Sequence, residues 1–259
     1  MEKKLQVMHV LMGICFAAGI YIATYLLVFS LAGSFEVLRE IPLMFLNAAA
    51  MGAAACALLL TIKKEEYEWK IKGGVWQNIL AVVLLAYGTS ALFNFLLGSI
   101  PWQEFAGEQA VPNENVYYGI PLLARMVCYE LIAPAAEELL FRQVIFIRLK
   151  KIIPLWLAVV VSALLFGIYH GNLVQGIYAF IMGIFLALVY EWTGNFVFPV
   201  LFHMIANHLS DICYEFEFLG QAVYSFPGMI AASFMIAVAF LLFYKKQNKC
   251  SGKALRSSK

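Results

Sequence analysis

The chain has 259 residues, of which 63% are hydrophobic and 13% charged, with a formal net charge of +2. A water-soluble domain runs at roughly 45–50% apolar and about 25% charged, so this chain cannot keep a wetted surface, and disorder, a coiled coil and a basic nucleic-acid binder are excluded. The five cysteines are scattered with no CxxC pair, which suggests neither a zinc ribbon nor a disulfide framework.

The apolar runs are continuous rather than alternating, which argues against a β-barrel. The expected class is all-α, a polytopic membrane protein. A membrane-crossing helix needs roughly 17–25 mainly apolar residues. Reading along the chain gives eight such segments, at residues 7–32, 41–62, 79–97, 118–149, 155–170, 173–192, 196–214 and 224–244. The first follows a short basic start, as a signal peptide would. It is too long for one and lacks a clear small-residue cleavage site, so it reads as a retained helix.

Basic residues set the orientation. Lys3 and Lys4 precede the first segment, Lys63, Lys64, Lys70 and Lys72 follow the second, and Arg148, Lys150 and Lys151 follow the fourth. Six more lie beyond the eighth, from Lys245 to Lys259. With eight spans all of these fall on one side, fifteen basic residues against Arg39 alone on the other. Both termini are therefore expected in the cytoplasm. The stretch 63–74 reads as a charged surface segment, and the acidic loop 98–117 as external. The chain reads as a single membrane domain over 1–259, with a motif-bearing core at 118–214 and a basic tail at 245–259. The tail is read as a topology anchor drawn to anionic lipid.

Ionisable groups at a helix centre cost about 2.5–3.5 kcal/mol on insertion scales, so they need partners or a water-filled cavity. The fourth segment holds APAAEELLFRQ. Glu138 and Arg142 are four apart and share a helix face, which suits an ion pair. Glu137 lies about 100° around the helix and can point elsewhere. One Arg needs one acid, so the second Glu is surplus. Pro134, a turn upstream, removes a backbone hydrogen bond and can kink the helix. The fifth segment ends in FGIYH, carrying Phe166 and His170. A lone His there is more often a satisfied interfacial residue than a catalyst. The seventh holds FHMIANHLSD. His203 and Asn207, one turn apart, suit either interhelical hydrogen bonding or two donors aimed at one developing oxyanion. At 1.5 Å per residue, Glu137, His170, His203 and Asn207 all fall near the middle of a core about 30 Å thick. One intramembrane site built from three helices is therefore permitted. Arg125 and Glu130, also inside the fourth segment, fit no such pattern.

EELLFR, FGIYH and HMIAN, in this order on three separate helices, match EExxxR, FxxxH and HxxxN. The stretch 118–214 resembles the CPBP family of intramembrane proteases, which comprises type II CAAX prenyl endopeptidases and the Abi and bacteriocin-processing relatives. The resemblance implies a glutamate-dependent peptidase. Glu137 would be the general base, and His170 would help to hold and polarise the water. His203 and Asn207 would stabilise the oxyanion, Glu138 and Arg142 would orient the catalytic helix, and Phe166 would shape the pocket wall. It further implies no cofactor, a membrane-associated peptide or protein as substrate, and a bacterial cell membrane as location. Three other readings compete. A zinc protease could use Glu137, His170 and His203 as ligands, but no HExxH occurs and Asn207 is left unexplained. A non-catalytic immunity or regulatory protein would tolerate loss of Glu137. A transporter or proton relay ranks lowest, for want of an inverted repeat.

Overall fold

The computed structural model describes residues 2–35, 41–62, 71–107 and 119–257, and these are helices joined by short turns, with no strand among them. Eight long helices lie where the sequence places them. They are α1 (Glu2–Ser34), α2 (Leu43–Leu59), α3 (Val75–Gly98), α4 (residues 122–149), α5 (Leu155–Tyr169), α6 (Leu173–Thr193), α7 (Val197–Glu215) and α8 (Phe226–Ser257). Short helices occupy Trp102–Ala106 and Glu217–Val223. Four of the eight, α1, α3, α6 and α8, are long and apolar enough to cross a membrane; α2 and α5 are apolar but shorter. The chain is an integral membrane protein. Parts of the 63–74 segment and of the 98–117 loop, and all side chains of the tail after Lys245, lie outside the described residues.

Helix starts follow local chemistry. Pro42, Pro121 and Pro154 stand immediately before α2, α4 and α5, where a fixed φ is useful and a missing N–H costs nothing. Asn172 caps α6 by accepting from the Gln175 N–H at 2.9 Å. Gly194 ends α6 in the left-handed region at φ 67°, as a helix-terminating glycine does.

α4 is the hub. It packs against α1, α2, α5, α6 and α7, and every residue from Pro134 to Ile147 except Ala135 is buried. A helix apolar and buried all round belongs at the centre of a bundle. α1 and α8 lie outside and present large apolar side chains such as Phe16 and Phe234 outward, which is the face that lipid requires. Pro134 does not break α4. Instead the backbone takes the wider i→i+5 pattern at Met126–Ile132 and Leu139–Phe146, with six α-helical residues, Ala133–Glu138, between. Such π turns re-satisfy a backbone that has lost a donor, and they concentrate at functional sites.

Two glycines let helices close on one another beside α4. A Cβ at Gly167 would sit 2.7 Å from the Gly176 carbonyl oxygen, so only glycine allows α5 and α6 to cross this tightly. A Cβ at Gly183 would stand 3.2 Å from Arg142 Nη2, where that guanidinium reaches the Gly183 carbonyl at 3.1 Å.

Candidate active site

Six α-helical residues of α4 carry the two adjacent carboxylates. Because successive residues turn by about 100°, Glu137 faces a cavity of about 880 Å³ while Glu138 turns into the protein and is fully buried. Glu138 Oε1 accepts from Arg142 Nη1 at 3.0 Å and from His203 Nδ1 at 2.9 Å. Arg142 spends Nη2 on Gly183 of α6. Three helices, α4, α6 and α7, are thus joined through one buried acid and one buried base.

Phe166 links the same groups from α5. Its ring lies under the Arg142 guanidinium, with Cζ 4.4 Å from the centroid, a cation–π contact strengthened by burial. It also stands edge to face against His170 at 4.7 Å and His203 at 5.7 Å. His170 directs Nδ1 at the Phe166 carbonyl, 2.9 Å away. A carbonyl only accepts, so Nδ1 carries the proton, and in the neutral form of the ring the lone pair is on Nε2.

His203 bridges the two acids. With Nδ1 on Glu138, its Nε2 stands 3.8 Å from Glu137 Oε2. Glu137, Phe166, His170, His203 and Asn207 all line the cavity. The four residues expected to be catalytic therefore meet at one place, on faces the sequence alone could not orient. Glu138 and Arg142 stand behind that wall. Asn207 departs from the simplest expectation of two donors aimed at one point, because its Nδ2 donates to the Tyr129 carbonyl of α4 at 3.1 Å.

The structure also accounts for the two charges that fit no pattern. Arg125 Nε pairs with Asp211 at 3.2 Å, Nη2 with Glu215 at 3.0 Å, and Nη1 donates to the Ile120 carbonyl at 2.7 Å. Glu130 accepts from His208 Nδ1 at 2.6 Å. This is a second ionic clasp between α4 and α7, on the 98–107 side of the first. Its one trace in the sequence is that Asp211 and Glu215, four apart, share a helix face. Sequence reasoning also passed over a polar wall of the cavity. There Asn94 of α3 donates to Ser210 of α7 at 2.8 Å, and Ser90 lies 3.1 Å from the Tyr178 hydroxyl. Among the described residues no three His, Cys, Asp or Glu side chains are grouped so as to hold a metal ion.

Residues 119–209 match the family model of the Rce1-like type II CAAX prenyl endopeptidases, a stretch that contains all three motifs. Two curated relatives are bacterial. The chain is 28% identical over 139 residues to the membrane-embedded CAAX protease MroQ of Staphylococcus aureus, covering 50% of this chain and 56% of that protein. It is 26% identical over 155 residues to a protein of Bacillus subtilis named as a membrane peptidase, YdiL, covering 58% of this chain and 62% of that one. The similarity thus spans less than two thirds of either relative. No solved structure matches the chain.

Proposed function

We propose that the chain is an intramembrane endopeptidase acting on a membrane-associated protein or peptide, a reading supported by the match of residues 119–209 to the Rce1-like family model. Glu137 is its general base, and the substrate need not be prenylated. The observation that carries the reading is the position of Glu137. It is the surplus acid of a buried cluster, turned into a cavity opposite His203, while its neighbour Glu138 already serves Arg142.

Peptide hydrolysis needs an activated water, donors for the tetrahedral oxyanion and a proton for the departing amine. Glu137 takes the proton of a cavity water and later hands it to the leaving nitrogen. His170, its Nδ1–H fixed on the Phe166 carbonyl, offers Nε2 as an acceptor that holds the same water. His203 donates to the oxyanion through Nε2, which requires a ring protonated on both nitrogens because Nδ1–H is already given to Glu138. Asn207 joins as the second donor by releasing the Tyr129 carbonyl when substrate binds. Glu138, Arg142 and Phe166 are positioning residues that fix the angle of His203 and the register of α4 against α6.

The test compares membrane peptides from cells bearing the wild-type chain with those from cells bearing Glu137→Gln at equal expression. Peptides that vanish in the variant identify the substrate, and an unchanged peptide pattern sinks the glutamate-base mechanism. The purified enzyme should keep its activity in strong chelators. Loss there, restored by zinc, would replace the mechanism with a metal-dependent one.

A further inference from the structure

The two ends of the bundle differ in charge and in access. Lys72 and Lys150 both pair with Glu191 at the C-terminal end of α6. Arg148 bonds the Gly13 carbonyl in the first half of α1, the helix whose first turn carries Lys3 and Lys4. Gln77 bonds the Leu242 carbonyl near Lys245. These links gather the basic residues of four segments at one end. At the other end Glu104, Asp211, Glu215 and Glu217 lie near the start of α6, and the nearby Arg125 is fully buried.

The cavity belongs to the acidic end. It runs from Glu137 past His170 and Gln175 to Ile100, Trp102, Gln103 and Glu104, and Gln103 and Glu104 are exposed. Along α6, Gln175 on its wall is about 24 Å from Glu191 at 1.5 Å per residue. Toward the basic end its deepest wall residues are Leu186 and Phe202. Beyond these, Phe146, Tyr190 and Phe198 fill the bundle, each at most 4% exposed. No described residue at the basic end lines the cavity.

We propose that this cavity is loaded from the membrane face opposite the basic helix ends. Positively charged loops are held on the cytoplasmic side, so the polypeptide it takes is presented from the extracytoplasmic side. A cytosolic C-terminal tail would meet the aromatic plug, whereas an exported peptide or the outer end of a membrane helix meets the open rim at Gln103. The proposal rests on the peptidase reading for what is bound, and not for where the cavity opens.

The test uses the full chain in intact cells with a membrane-impermeant maleimide. Gln103→Cys and Lys151→Cys are compared, both at exposed positions, with native Cys250 as a marker of the tail. Label is read by mass spectrometry on the peptide bearing each thiol. Gln103→Cys should label as fully in intact cells as after permeabilisation, while Lys151→Cys and Cys250 should label only after it. The reverse pattern, labelling of both variants in intact cells, or labelling of neither, overturns the proposal. The readout does not involve cleavage. The expected labelling in a chain that cuts nothing would therefore sink the peptidase reading alone, and reversed labelling in an active chain would sink the access side alone.

Discussion

Two ionic clasps join α4 to α7, and they differ in where their charge can go. The inner one, Glu138 with Arg142 and His203, is sealed, with side chains no more than 9% exposed. The outer one pairs Arg125 with Asp211 and Glu215, and Glu130 with His208, and it leads to the surface through Glu215 at 41% and His208 at 33%. In the outer clasp Glu215 and His208 reach water, while Asp211 and Glu130 stay buried. Surplus acid in the inner clasp, which is Glu137, has only the cavity and His203. An intramembrane charge is thus not a catalyst by virtue of being there. The lack of any other outlet is what sets Glu137 apart.

That contrast can be broken by substitution, and the largest effect is expected at Glu137. Glu137→Gln keeps size and should lower cleavage by about 10²–10⁴, the usual contribution of a general base, with unchanged elution in detergent. Next comes Arg142→Met, which takes the arginine from buried Glu138 and leaves it His203 alone among the partners described above. About 3–5 kcal/mol of stability should be lost, measured by thermal unfolding in detergent. Arg125→Met lets Glu215 turn to water but strands buried Asp211, so a loss of similar size is expected, measured the same way. Asn207→Ala should slow turnover by about 10²–10³ if the side chain reaches the oxyanion, with the loss in kcat rather than KM. A change confined to stability would assign Asn207 to its bond with Tyr129 alone. The smallest effect is expected for His208→Gln in the outer clasp, about 0.6 kcal/mol, the mean for intramembrane hydrogen bonds, with cleavage unchanged. A rate loss there would mean that the two clasps act as one.

The helices were readable in the sequence because apolarity in a membrane chain is nearly one-dimensional, and each of the eight expected segments overlaps a long helix, although the last helix runs on to Ser257, thirteen residues past the expected end. The cluster of Glu137, Glu138 and Arg142 was readable for a different reason, since spacing within one helix fixes which side chains share a face. What could not be read were the links between helices. Arg125 and Asp211 are 86 positions apart, and nothing in either local sequence names the other. Neither the Gly183 carbonyl under Arg142 nor the Tyr129 carbonyl taken by Asn207 leaves a side-chain signature. Pro134 announced a disturbance in α4, but whether it produced a kink or rewound turns depended on the neighbours packed around it.

The rewound turns have a consequence for how this helix tolerates change. Each π turn holds one residue more than an α turn over nearly the same rise, so α4 carries slack on both sides of Ala133–Glu138. Deleting a single residue from Leu139–Phe146 could be absorbed by rewinding that stretch as α-helix, which would leave the helix intact from end to end. The spacing of Arg142 from Glu138 would then change or stay according to which residue was removed. The length of α4 therefore has one residue of tolerance here: a deletion between Glu138 and Arg142 leaves the pair three apart, a spacing that still shares a helix face.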